Sequence, residues 1–179
     1  SVLLPALLRE RVPTYAHYPD EFRTAIGRAT LSDEVSLASD VTWEDVRLLR
    51  ARWAGKLILK GVLRVEDAIR AAAEGVDAIV VSNHGARNLD CAPGPTEVLP
   101  AIVEATQGRL EILADSGVRR GADIARFLAL GARGVLVGRA PLYGLALGGA
   151  QGAGRALSIL AAELRTTMGM LGARTLADL

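Results

Sequence analysis

Ala78-Ile79-Val80-Val81-Ser82-Asn83-His84-Gly85-Ala86-Arg87 sets the frame for the whole chain. It opens with an apolar run rich in β-branched residues, which favours an extended strand. The run does not alternate with polar residues, so both faces of the strand are covered, as in a parallel sheet packed between other layers. It then delivers an imidazole and a guanidinium three positions apart with a glycine between them. A buried strand ending in a base and a fixed cation reads as a site for an anionic substrate.

Three further runs repeat the pattern. Leu57-Ile58-Leu59 ends in Lys60-Gly61, Glu111-Ile112-Leu113-Ala114 ends in Asp115-Ser116-Gly117, and Gly134-Val135-Leu136-Val137 ends in Gly138-Arg139. Helical patterns separate them, over 65–74 (closed by Gly75), about 96–106 (stopped by Gly108) and 123–130 (stopped by Gly131). Upstream, Thr42 and Asp45 form a capping-box pattern for a helix over 43–53, with apolar spacing at Val46, Leu49 and Trp53. Downstream the spacing predicts a helix over 141–147, a glycine-rich loop over 148–154 and a long terminal helix over 155–171. Strand and helix alternation of this kind fits either an open doubly wound sheet or a (β/α) barrel. A complete barrel takes eight such units and typically about 250 residues; this chain has 179 residues and four units.

Composition narrows the function class. Half of the residues are hydrophobic, enough for a sizeable core, and the formal net charge is +1. With acids and bases interspersed there is no footprint for nucleic acid or for an anionic membrane. Cys91 is the single cysteine, which excludes an internal disulfide and leaves a loop or buried thiol without an activating base nearby. No His, Cys and carboxylate spacing suits a metal, and neither a GKS/T phosphate loop nor a GxGxxG is present. Residues 1–40 have weak periodicity, three prolines and His17, and read as a surface loop segment. The opening Ser-Val-Leu-Leu-Pro lacks the basic start and small-residue cleavage site of a signal peptide, and no apolar run approaches a membrane span.

In parallel α/β folds the carboxyl ends of the strands share one face, where ligands bind. The four strand ends therefore converge. Lys60 places an ammonium where negative charge could develop. His84 is a base that accepts and returns a proton near neutral pH, and Arg87 is a bidentate holder for a carboxylate. Asp115-Ser116-Gly117-Val118-Arg119-Arg120-Gly121 opens a helix whose glycines, amides and Arg119 suit a phosphate, and Gly138-Arg139 repeats that chemistry at the next helix.

These residues resemble the FMN-dependent 2-hydroxy-acid oxidase and dehydrogenase family, which includes glycolate oxidase, lactate oxidase and mandelate dehydrogenase. The resemblance runs from Thr42-Trp43-Glu44-Asp45-Val46 through Leu59-Lys60-Gly61, Ser82-Asn83-His84-Gly85-Ala86-Arg87 and Asp115 to Gly121 to Gly138-Arg139 and beyond, about three quarters of the chain. It implies a (β/α)8 TIM barrel, of which residues 41–179 would supply the last four βα units and a C-terminal helix. It implies FMN held by Lys60, Ser82, Asp115, Ser116, Gly117, Val118, Arg119, Gly138 and Arg139. In that reading Lys60 faces the flavin's pyrimidine side, Asp115 the ribityl chain, and Gly117, Arg119, Gly138 and Arg139 the phosphate. His84 would be the active-site base and, with Arg87, would hold the substrate. The implied reaction takes a 2-hydroxy acid to the 2-oxo acid. Leu89-Asp90-Cys91-Ala92-Pro93 and Gly138 to Gly144 resemble the mandelate-oxidising members, which leans towards an aryl substrate.

The segment 1–40 would follow the fourth barrel strand. The first four strands, a substrate-side tyrosine and the aspartate that orients the histidine would lie outside this chain, so the N-terminal half of the barrel is an expected partner. The resemblance also implies a homo-oligomer such as a tetramer. The expected location is cytoplasmic, with membrane association through the other half left open. Two other readings remain: another FMN- or phosphate-binding barrel enzyme, which the His84/Arg87 pair does not fit, and a half-barrel active only with a complementary chain.

Overall fold

In the computed structural model residues 40–179 are described. The segment read as a surface loop, 1–40, with His17, thus lies outside the described residues apart from Asp40. From Glu44 onward the chain forms one unit.

Helix α1 (Trp43–Arg52) starts where the Thr42 cap predicts, with Glu44 and Asp45 in its first turn and Arg50 and Arg52 in its last, the charge order that its dipole favours. Of its expected apolar stripe only Val46 is buried; Leu49 and Trp53 are exposed among the described residues. Four βα units follow. Strand β1 (Ile58–Val62), helix α2 (Val65–Ala73), β2 (Ala78–Val81), α3 (Pro95–Thr106), β3 (Glu111–Ala114), α4 (Gly121–Ala129), β4 (Gly134–Val135) and α5 (Arg139–Leu171) alternate without interruption. All strand pairs are parallel and the order is β1-β2-β3-β4. Each strand lies beside its predecessor. A doubly wound sheet reverses its order at a switch point; none occurs among the described strands, as expected of consecutive units in a barrel wall.

Register pairing explains both faces. Leu59, Ile79 and Ile112 share one row, and Val62, Val81, Ala114 and Val135 the next on the same face. Ile79, Val81 and Ala114 are fully buried there, together with Leu99 and Ile102 of α3 and Phe127 of α4. Truncating a core side chain such as Leu99 to alanine costs on the order of 2–5 kcal/mol. Lys60, Val80, Leu113 and Gly134 form a row on the other face. By strict alternation Ser82 and Asp115 follow Val80 and Leu113 onto that face.

Three boundaries depart from the sequence reading. Strand β1 runs to Val62 rather than ending at Leu59, so Lys60 is a strand residue. A register shift between Lys60 and Val62 marks a bulge at Gly61, whose φ of +97° a larger residue adopts poorly. Strand β4 covers Gly134–Val135 instead of 134–137, because it pairs only with β3 among the described residues and the ladder closes with the Leu136 amide donating to the Ala114 carbonyl at 2.9 Å. The glycine-rich stretch 148–154 is helical except at Gly148 and Gly149, where non-helical dihedrals break α5 into two parts. Gly144 and Gly152 face each other across that break so closely that a Cβ on either would strike the other's backbone carbonyl. Those two glycines serve close packing within the helix. Among the described residues no helix is long and apolar enough to cross a membrane.

Candidate active site

The inner row of the sheet ends in one connected polar cluster. Lys60 Nζ sits 2.8 Å from Asp115 Oδ2 and donates to Ser82 Oγ at 3.0 Å. Ser82 is only 1 % exposed, so its hydroxyl needs partners. It also accepts from the His84 amide at 3.1 Å and donates to Asp115. Burial pushes the Asp115 carboxyl up, but hydrogen bonds from Lys60, Ser82 and Ser116 outweigh it and hold the group below its ordinary range. Asp115 therefore keeps its charge, and the ammonium of Lys60 stays anchored at the mouth of the sheet.

His84, Gly85 and Ala86 form a single left-handed turn with φ of 55°, 65° and 60°. Each left-handed non-glycine residue costs roughly 1–2 kcal/mol, so His84 and Ala86 sit there because surrounding bonds compel it. The Gly85 amide donates to Asn83 Oδ1 and to Ser116 Oγ, both at 3.0 Å, and the Ala86 amide donates to the Asn83 carbonyl at 3.0 Å. From the start of α5, Arg139 Nη2 donates to the Gly85 carbonyl at 3.2 Å. The turn lifts the exposed His84 ring over the strand ends, near the Gly61 bulge: a Cβ on Gly61 would lie 3.3 Å from His84 Cε1.

The structure thus brings Lys60, Ser82, His84, Asp115, Ser116 and Arg139 together. Arg87 is exposed and has no polar partner among the described residues. Gly117, with φ +73°, and Gly138 have nothing within 4 Å of where a Cβ would stand, which leaves open space for close approach to backbone. Val118 is buried, and Arg119 is exposed with its side chain unpartnered among the described residues.

One part of the phosphate reading needs correction. The amides at the start of α4 are already taken: those of Arg119 and Arg120 donate to Asp123 Oδ2 at 3.0 and 2.9 Å, and that of Gly121 donates to Glu163 Oε2 at 2.8 Å. An anion here meets side-chain guanidinium and the open glycines rather than that helix start. Asp123 was visible in sequence as an acid three residues after Arg120, the capping-box spacing. Glu163, which also pairs with Arg120 at 2.8 Å, comes from α5 and carries no local signal. Its carboxyl is held below the ordinary range, first by the Gly121 amide and then by Arg120. Cys91 is an exposed free thiol.

Residues 12–179 match the family described as FMN-dependent dehydrogenase. The chain is 48 % identical over 137 residues to an FMN-dependent alpha-hydroxy acid dehydrogenase of Penicillium citrinum, covering 76 % of this chain and 34 % of that protein. It is 47 % identical over 139 residues to an L-lactate dehydrogenase of Acinetobacter baylyi, covering 78 % of this chain and 36 % of that one. Crystal structures of mandelate oxidase, one with benzoylformic acid, superpose with a TM-score of 0.74 at 45 % identity, over 76 % of this chain and 41 % of theirs. The chain spans about a third of the length of those curated relatives. With a match over nearly all its residues and the strand-end cluster in place, the chain belongs to the FMN-dependent dehydrogenase family.

Proposed function

We propose that this chain provides the base, the carboxylate holder and much of the flavin site of an enzyme that oxidises a 2-hydroxy acid to the 2-oxo acid. The observation that carries the reading is the joined cluster at the strand ends, where the Lys60–Asp115 ion pair and the His84 turn share hydroxyl bridges. The residues present fit FMN: a fixed ammonium, a charged Asp115, two glycines with open space beside them, and the guanidinium groups of Arg119 and Arg139. Lys60 presents positive charge to the ring, Ser82 and Asp115 lie beside it, Ser116, Gly117 and Val118 continue the wall, and Arg119, Gly138 and Arg139 suit the phosphate end.

The substrate's carboxylate is held by Arg87 through paired N–H groups, which fixes the carbon bearing the hydroxyl beside His84. The imidazole then takes a proton from the substrate and returns it to solvent. FMN, when bound, would supply the acceptor for the two electrons and the second hydrogen that leave as the C–O single bond becomes a carbonyl, the first hydrogen having gone to His84 as a proton. Mandelate is the first substrate to try, given the likeness to mandelate oxidase and the stretch Leu89 to Pro93, although lactate dehydrogenases stand at similar identity. β1 and β4 are unpaired on their outer sides among the described residues. A closed barrel needs four further units, and we read the remaining strands as part of the working enzyme.

The visible spectrum of the protein, recorded without oxygen before and after adding mandelate, tests this. A flavin band that bleaches is the expected result. Bleaching by lactate or glycolate alone keeps the reaction and discards the aryl substrate, and a protein isolated without a flavin band overturns the reading.

A further inference from the structure

We propose that Ser116 is a positioning residue for His84, and that its hydroxyl fixes the left-handed turn that carries the imidazole. This deepens the functional reading above and rests on it.

Three of the bonds that hold the turn come from its own neighbourhood: Ser82 Oγ takes the His84 amide, Asn83 Oδ1 the Gly85 amide and the Asn83 carbonyl the Ala86 amide. A fourth comes from α5, where Arg139 reaches the Gly85 carbonyl. Ser116 supplies the remaining contact, and it comes from the turn just after β3. Its Oγ accepts from the Gly85 amide at 3.0 Å and donates to Asp115 Oδ1 at 2.8 Å. The proton of that hydroxyl is committed to a carboxylate, which leaves its lone pairs for the amide. Asp115 is in turn anchored by Lys60, and Lys60 also donates to Ser82, whose oxygen accepts from the His84 amide. A closed ring results, running Lys60, Asp115, Ser116, Gly85, His84, Ser82 and back to Lys60. The group placed against the flavin and the turn bearing the base are thereby fixed to each other.

The backbone of Ser116 supports the same conclusion. Its φ is +76°, in the left-handed region where glycine sits without strain and serine does not. Gly117 beside it has φ +73°. A serine in a slot that glycine fits better is offset by what its hydroxyl does. The exposure of the site follows the same logic, because Ser116 is half-buried behind the turn while His84 is exposed above it.

The test compares Ser116→Gly with Ser116→Ala in the flavin-loaded protein. Both lose the hydroxyl, but only glycine relieves the backbone, so their stabilities part while their chemistry stays together. Three quantities are read: the rate of flavin reduction on mixing with mandelate without oxygen, the dissociation constant for FMN, and the melting midpoint. Lactate replaces mandelate if it alone reduces the wild type. We expect Ser116→Gly to reduce about fivefold more slowly, a loss matched to one neutral hydrogen bond whose amide keeps Asn83 as a second acceptor. FMN affinity should stay within about twofold, since Ser116 would line the flavin site through backbone that both variants keep, and the melting midpoint should not fall, whereas a purely structural role would move those two and leave the reduction rate alone. Ser116→Ala should show the same slow reduction with a lower midpoint. If that variant does not fold, Ser116→Gly decides alone. A wild-type reduction rate in Ser116→Gly overturns the assignment, and so does a loss of FMN affinity, which would make Ser116 a cofactor residue only. A wild-type protein that holds no flavin, or whose flavin is reduced by none of these acids, overturns the functional reading itself and this role with it.

Discussion

At the end of the sheet where strands begin, Asp77 accepts from Lys56 Nζ and Arg50 Nη1 at 2.8 Å and from the Leu57 amide at 2.9 Å. At the end where they stop, Asp115 accepts from Lys60 at 2.8 Å and from two serine hydroxyls. Both carboxyls are held below their ordinary range, but by different routes. For Asp77 the hydrogen bond from Lys56 leads, then the Leu57 amide, with Arg50 adding to it. For Asp115 burial pushes upward first, and Lys60 and the two hydroxyls overcome it. Around Asp77 every cation is spent: Arg50 also donates to the carbonyls of Trp53, Gly55 and Gly75, and Trp53 Nε1 donates to the Lys56 carbonyl. Following the strand ends, the exposed guanidinium groups of Arg87 and Arg119 have no partner among the described residues. A closed network locks the entry of α1 into the sheet. The open one leaves guanidinium groups unengaged, which is what the proposed anionic substrate and cofactor would need. The same residue types make a clasp or a site according to whether protein groups engage the cations.

The largest effect expected at the open end is that of His84→Ala. Losing a positioned base lowers turnover by about 10²–10⁴-fold, and flavin content and melting midpoint should stay near wild type because the exposed ring carries no packing. A variant that melts early yet turns over normally per folded molecule would break the division between the two ends. Arg87→Lys comes next. A point charge cannot reproduce the paired hydrogen bonds of a guanidinium fork, so KM for the hydroxy acid should rise about tenfold with a smaller change in kcat. Steady-state kinetics over a range of substrate concentrations decides it, and an unchanged KM removes Arg87 from the carboxylate.

How much of this was readable from the sequence varies by element. Strand β2 and its Ser82 to Arg87 exit were legible because an unbroken β-branched run has one favoured state and the exit residues are chemically unusual. The convergence of Lys60, His84 and Asp115 was legible too, since parallel strands place their carboxyl ends together. Three things were not. The bulge at Gly61, which puts Lys60 inside β1, depends on how the neighbouring strand is paired. The helical path through 148–154 depends on the contact between Gly144 and Gly152, and local propensity counts glycine only as a breaker. The use of Glu163 to hold the Gly121 amide depends on a residue 42 positions away. All three are tertiary facts, and local pattern carries tertiary information only where topology is regular.

The smallest effect, and the sharpest check on the division, belongs to Asp77→Asn at the closed end. The amide side chain keeps an acceptor for the Leu57 amide but removes the charge that Arg50 and Lys56 share, so the melting midpoint should fall by several degrees at neutral pH. Turnover per folded, flavin-loaded molecule should not change, since the clasp lies at the opposite end of the strands from His84. The pH dependence fixes the cause. The folded-state pKa of Asp77 is depressed below the ordinary 3.8, so the unfolded chain takes up the proton first on acidification. Its contribution is therefore complete above that ordinary value and is lost as pH falls further towards the folded-state pKa. The difference in midpoint between wild type and Asp77→Asn should stay constant from neutrality down to about pH 5 and then shrink below about pH 4. A difference that persists unchanged into acid would mean that the lost stability came from packing or from the Leu57 amide rather than from the paired charge. The closed network would then be a steric fitting, and the contrast with the open end would no longer be electrostatic.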